Sequence, residues 1–223
     1  MNHGNFEASA VGVMGTIIGS ILLGEFLGYG LHRMMHSGRF PRMSRAHMIH
    51  HLALYGPSQP MRHEEYKDAT EGRASLGNIG KEWVIPAVAI LAAVWAVLYL
   101  AGVGWMHRLL AVGVLVGWSM LMFSYLHDRM HLKGFWMERA PLVKWWYARA
   151  RRLHDIHHRS LNDEGKMDRN FGIGFYFFDR VFRTHARKHR AFNWHGYREA
   201  LRREAENGRE LENFPTDFRV GGR

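Results

Sequence analysis

The sequence predicts an all-α integral-membrane protein: a helix bundle of about three spans with a cytosolic, helical, histidine-rich cap. Three observations predict it. Residues 8–31, 83–105 and 109–126 are long apolar runs, with Glu25 as their single charge. A spanning helix needs roughly 20 such residues, so all three qualify, the last at the short end. Histidines recur at helical spacing beside the first and third runs. Lys and Arg cluster in 32–82 and in the C-terminal third, and lift the formal net charge to +10.

The chain opens with a short polar start that lacks Lys and Arg. The first run is rich in glycine, which lets helices approach closely in lipid. It lacks a basic leader and a small-residue cleavage site, and is expected to be retained. Glu25 is an ionisable group inside a span, hence a functional hypothesis by default. At 100° per residue Glu25, Tyr29, His32 and His36 share one stripe. Glu25 can therefore orient a ligand histidine, face a substrate cavity, or simply hold helices together.

Residues 37–82 are polar and full of turn formers, with His47 to His51 on a short interfacial helix and His63 a surface residue. The runs 83–105 and 109–126 read as a hairpin turning at 102–108. That turn carries one arginine, whereas cytoplasmic loops carry the positive excess. The N-terminus and the turn are thus expected outside, and the histidine-rich segments inside. His107 falls on the far side and is expected not to be a ligand. Residues 132–153 mix Phe135, Trp136, Trp145, Trp146 and Tyr147 with Lys and Arg, as interfacial segments do. Basic charge also suits nucleic acid, but the apolar runs favour a membrane surface and no nucleic-acid partner. His185 and His189 lie in a basic run and are expected at the surface. Residues 1–196 are expected to form one membrane-embedded domain, and 197–223 a polar cytosolic tail.

The chemistry lies in the histidine grammar. His32 and His36 form HxxxH, and His47, His50 and His51 form HxxHH. His127 and His131, then His154, His157 and His158, repeat it in the same order. Residues three and four apart share a helical face. Neutral imidazole is the commonest metal ligand and suits iron, zinc, copper and nickel. Ten such residues suggest two ions with four or five nitrogens each. The chain has no cysteine, which excludes thiolate sites, disulfides and iron–sulfur clusters.

In order, the motifs read HRMMH, HMIHH, HDRMH and HDIHH, with a hydrophobic hairpin between the halves. Asn170-Phe171-Gly172 follows, and then Phe178-Asp179-Arg180-Val181-Phe182. This pattern resembles the fatty acid hydroxylase / sterol desaturase superfamily, histidine-rich membrane di-iron enzymes that include carotenoid ring hydroxylases. The resemblance covers about residues 25–185. It departs from the family's ending at Phe178, where the family has Trp, and at Arg183, where it has Gly.

The resemblance implies a non-haem di-iron oxidoreductase. It would hydroxylate or desaturate a fatty acyl, sterol or carotenoid lipid drawn from the bilayer. It also implies two iron ions held by the ten histidines, with zinc able to replace iron during overexpression, and O2 as co-substrate. Glu25, Asp128, Asp155 and Asn170 are candidates for orienting the ligands. Electrons would come from a separate cytochrome- or ferredoxin-type protein docking on the basic face. The compartment is expected to be a bacterial inner membrane, with the metal site on its cytoplasmic side. The competing reading is a histidine-rich membrane metal protein: a zinc-dependent hydrolase, a transporter or a metal sensor. Transporters place ligands near the midplane, and a catalytic zinc needs three protein ligands.

Overall fold

A computed structural model describes residues 10–56 and 81–207. His63 and the tail from residue 208 lie outside the described residues. Among those described, every regular element is helical, and extended pairing is limited to one bridge between Leu161 and Met167.

Helix α1 (Ala10–Met35) runs four residues past the first apolar run, so one helix carries both the lipid-like segment and His32. Ser20, Gly24, Glu25, Tyr29 and His32 are its buried stripe. Val11, Met14, Ile18, Leu22 and Phe26 form an exposed apolar stripe. Gly28 faces the Phe123 ring, which a Cβ at that position would overlap, so only glycine lets the two helices meet there.

Helix α2 (Pro41–Ile49) starts on proline, whose missing N–H is not needed in a first turn. It passes into a π turn, His50–Leu54, closed by the Tyr55 amide on the His50 carbonyl at 2.9 Å. Helix α3 (Val84–Leu100) buries none of its 17 residues. The end of the run expected at 83–105 forms the turn into α4 (Trp105–Ser119), so the helix is shorter than the run. The α4 axis continues through a π segment, Met120–Leu126, to Arg129. It is longer than the expected 109–126, because the turn carrying His127 stays helical.

Two helices, Ala10–Met35 and Trp105–Arg129, are long and apolar enough to cross a membrane. At 1.5 Å per residue α3 measures only about 26 Å, against a hydrocarbon core of about 30 Å.

Helix α5 (Lys144–His158) buries Tyr147, Ala150, Leu153, His154, His157 and His158. The Tyr147 hydroxyl donates to the Arg129 carbonyl at 2.9 Å and ties α5 to the end of α4. After the short α6 (Phe177–Val181), α7 (Trp194–Glu206) begins at Asn193, whose side chain caps the Gly196 amide at 3.0 Å. The boundary expected at 196/197 therefore falls inside α7. Nor is this helix merely solvated: Tyr197, Ala200 and Glu204 are buried on one face, and the Tyr197 hydroxyl donates to the Leu52 carbonyl at 3.0 Å.

The apolar core has two parts. One gathers Met122, Leu126, Met130, Tyr147 and Ile156. The other gathers Tyr29, Met48, Leu52, Phe171 and Tyr197. The motif histidines come from α1, from α2 and its π turn, from the end of α4 and from α5.

Candidate metal centre

All ten motif histidines are at most 5% exposed. They sort into two groups of five whose nitrogens lie within 4.8 Å of one another. The first group is His32, His36, His47, His51 and His157; the second is His50, His127, His131, His154 and His158. Each group thus takes four histidines from its own half of the chain and one from the other. His50, the middle histidine of the first HxxHH, joins the second group. His157, its counterpart, joins the first.

The exchange is two-fold symmetric. Exchanging each histidine for its counterpart maps ring pairs onto pairs of nearly equal separation. His36–His51 at 4.5 Å matches His131–His158 at 4.4 Å. The crossed pairs His36–His157 and His50–His131 stand at 4.8 and 4.6 Å. His36 and His47 bring their Nε2 atoms to 2.9 Å, as do His131 and His154.

These nitrogens fit a cation. The Nε2 atoms of His36 and His157 are 3.1 Å apart. With metal–nitrogen bonds of about 2.1 Å, ligands at right angles stand about 3.0 Å apart and tetrahedral ones about 3.4 Å. The three edges His36–His47, His131–His154 and His36–His157 lie near the right-angle value, and five donors exceed a tetrahedral set. His32 Nε2 and both ring nitrogens of His50, His51 and His158 are buried without a hydrogen-bond partner. An orphaned buried polar atom costs about 1–3 kcal/mol, a cost a shared ion removes. Burial, and then repulsion among neighbouring rings, holds His36, His47, His50, His51, His154 and His158 well below the ordinary histidine pKa. They are neutral and offer lone pairs, the form that binds metal.

Two ligands have their tautomer set by backbone. His32 Nδ1 donates to the Phe171 carbonyl and His157 Nδ1 to the Arg169 carbonyl, both at 2.6 Å. Their Nε2 atoms must then carry the lone pair toward the first group. Asn170 sits between the two carbonyls with φ 53°, in the left-handed region that Asn tolerates. Its side chain donates to the carbonyls of Leu153 (3.0 Å) and Ala186 (2.9 Å) and accepts from the Ala186 amide at 2.8 Å. Asn170 thus acts on the ligands through its neighbours' carbonyls.

Asp179 completes the support. It accepts from the amides of Phe171 and Gly172 and from the Thr184 hydroxyl, each at 2.7 Å. Burial pushes its carboxyl upward, while these three donors favour the ionised form. A Cβ at Gly172 would stand 2.9 Å from the Asp179 Oδ2, so glycine is needed for this approach. Nothing in the spacing of Asp179 from the histidines marks it as support; only the folded loop does. Tyr55, stacked on His131 at 3.9 Å, is likewise invisible in the motif pattern.

The other candidates fall elsewhere. Glu25 accepts from Trp118 Nε1 at 2.9 Å and from the Phe175 backbone, so its bonds hold α1 to α4 and to the 175 loop. Asp155 faces His189 Nε2 at 3.3 Å. Asp128 is half-buried in the turn from His127 to His131, and its carbonyl accepts the His131 amide at 3.1 Å. His185 and His189 belong to neither group. His107 also lies outside both, with its Nδ1 2.8 Å from the Thr16 hydroxyl.

The second layer breaks the symmetry. The Arg169–Phe171 loop closes over the first group, whereas a cavity of about 530 Å³ reaches His131, His154 and His158 of the second. Lys144, Arg152 and Arg159 line it, with Asp155. Beside them Arg151 is ion-paired with Glu138. Compared with protein-family models, curated proteins and solved structures, the chain matches none.

Proposed function

We propose that this chain is a membrane di-iron oxygenase of the fatty acid hydroxylase / sterol desaturase type, acting on a lipid with O2 and external electrons. The observation that carries the reading is the pair of buried five-histidine groups, each with nitrogens as close as 2.9 Å. His32, His36, His47, His51 and His157 would hold one iron, and His50, His127, His131, His154 and His158 the other. A di-iron centre, when bound, supplies activation of O2 sufficient to oxidise an unactivated C–H bond.

The protein's own part is electrostatic and positional. Its buried neutral imidazoles give two cations nitrogen donors without adding negative charge. The Phe171 and Arg169 carbonyls keep His32 and His157 aimed inward. Phe171, from one apolar cluster, packs edge-on against His32 and His157 on the side of the first group, and water is kept away there. Five nitrogens per group exceed the three or four protein ligands that zinc takes, which favours this reading over a zinc hydrolase.

The membrane arrangement belongs to the same proposal. Three spans, α1, α3 and α4, would place the histidines at the cytoplasmic interface, on the side rich in Lys and Arg. The hydrocarbon substrate would enter from the bilayer, and an electron-donor protein would meet the basic cavity beside the second group. A bacterial inner membrane is the proposed compartment.

The test is elemental mass spectrometry of detergent-purified protein from iron-supplemented cells, with extracted lipids searched for products that gain oxygen or lose hydrogen. The reading expects two irons per chain and at least one such product. Well-folded protein that takes up no metal on iron reconstitution would overturn it.

A further inference from the structure

A cleft of about 230 Å³ lies between α5 and the 174–180 segment, away from both histidine groups. Trp145, Phe175 and Phe177 line it and remain 66%, 46% and 54% exposed. Such exposure of large rings on one patch marks an interaction site. Arg149 and Arg180 stand in the same lining. Neither guanidinium has an ion-pair or hydrogen-bond partner among the described residues. Arg180 and Arg149 also act on His185, whose pKa is lowered first by burial and then by Arg180, with Asp179 opposing and Arg187 and Arg149 adding to the fall. No acidic residue is among those lining the cleft.

The depth of the cleft is fixed by its inner wall. Phe175 stacks on Trp118, at 6.0 Å and 22°, and Trp118 lies inside the apolar helix 105–129. Phe177 packs on Phe178 at 5.1 Å, and Phe178 meets Phe26 edge-on at 5.3 Å. Phe26 ends the exposed α1 stripe Met14, Ile18, Leu22. An apolar track therefore leads to an aromatic rim and then to two unpaired arginines.

We propose that this cleft binds the phosphate of an anionic membrane lipid between Arg149 and Arg180. The lipid's acyl chains would descend along the α1 stripe. The guanidinium fork matches phosphate, and Trp prefers the headgroup level. The inference rests on the membrane reading but not on the oxygenase reading.

Native mass spectrometry of the full chain in detergent tests it, with dioleoylphosphatidylglycerol and dioleoylphosphatidylcholine offered in equal amounts. The expected result is one retained phosphatidylglycerol. Its preference over phosphatidylcholine should fall about fivefold for Arg149→Gln or Arg180→Gln and about twenty-five-fold for both, from the typical strength of one cation at an anionic surface. Arg198→Gln, an exposed change on α7, should leave it intact. Both cleft arginines are exposed, so circular dichroism and metal content of the double variant should match the parent. Equal retention of the two lipids, or an unchanged preference in the double variant, would overturn the site. Inorganic phosphate binding as tightly as the lipid would reassign it to a free anion and overturn the lipid proposal. Release of the chain from membranes by alkaline carbonate without detergent would instead remove the membrane reading, and this proposal with it.

Discussion

His51 and His158 stack face to face, with ring centroids 3.8 Å apart and planes 20° from parallel, yet they belong to different metal-binding groups. They are counterparts in the two repeats, so the pseudo-two-fold axis passes between them. Around that axis His50 and His157 exchange groups. Two ions held here would share a wall of imidazole and would be coupled through it.

The exchange is testable with double variants. Iron-reconstituted His36→Ala/His157→Ala removes two ligands from the first group and should keep about one metal per chain, since five nitrogens of the second group remain. His131→Ala/His157→Ala removes one ligand from each group and should weaken both metals. Metal content after dialysis against a chelator reads the difference. The opposite ranking would mean that His157 serves the second group.

Asp179→Asn should loosen the first metal alone. It puts an amide N–H₂ against an N–H or O–H donor, leaving at least one of the three without its acceptor. Supporting groups of this kind typically affect metal affinity about 10–100-fold. Chelator competition should show one metal released early and one held as in the parent. Parental retention of both would show that the Phe171 carbonyl keeps its aim without Asp179.

Acid should unfold the metal-free chain. Six histidines outside the long apolar helices have folded-state pKa values well below the ordinary one, through burial first. The unfolded chain therefore binds more protons below about pH 6.5. Their contribution is fully present above that pH and is lost as pH falls, by up to about 1.4 kcal/mol per pH unit for each histidine. The melting temperature of metal-free protein in detergent should drop steeply from about pH 7 to about pH 5, and bound metal should shift the drop to lower pH. A flat profile would show that the rings are not buried as neutral groups.

Gly28→Val should cost folded yield, because its side chain would meet the Phe123 ring at the α1–α4 contact. Overpacking of this kind costs about 1–3 kcal/mol or more. Gly15→Ala is the control: its Cβ meets nothing within 4 Å, and the gain in helix propensity is about 1 kcal/mol. Thermal stability in detergent should order the variants Gly15→Ala, parent, Gly28→Val. Parental stability of Gly28→Val would show that the two helices can separate there at little cost.

The amino-acid sequence by itself determined the helical class, the apolar runs and the identity of the ten histidines. All three are local properties: hydropathy needs no partner, and HxxxH places two rings on one face of any helix. Spacing put His47, His50 and His51 on one face, yet in the structure His50 and His51 serve different groups. Tertiary structure alone decided this, since His50 meets His131 only once α2 packs beside the end of α4. The sequence already makes Asn170 a supporting candidate, but the support by Asp179 was hidden, and so was the route of both, through backbone carbonyls brought to His32 and His157 by a folded loop. So was the burial of α7, whose sparse apolar face at Tyr197 and Ala200 gains its value only against Leu52. Spacing along one helix fixes which side chains share a face, but which faces meet depends on contacts between residues far apart in the chain.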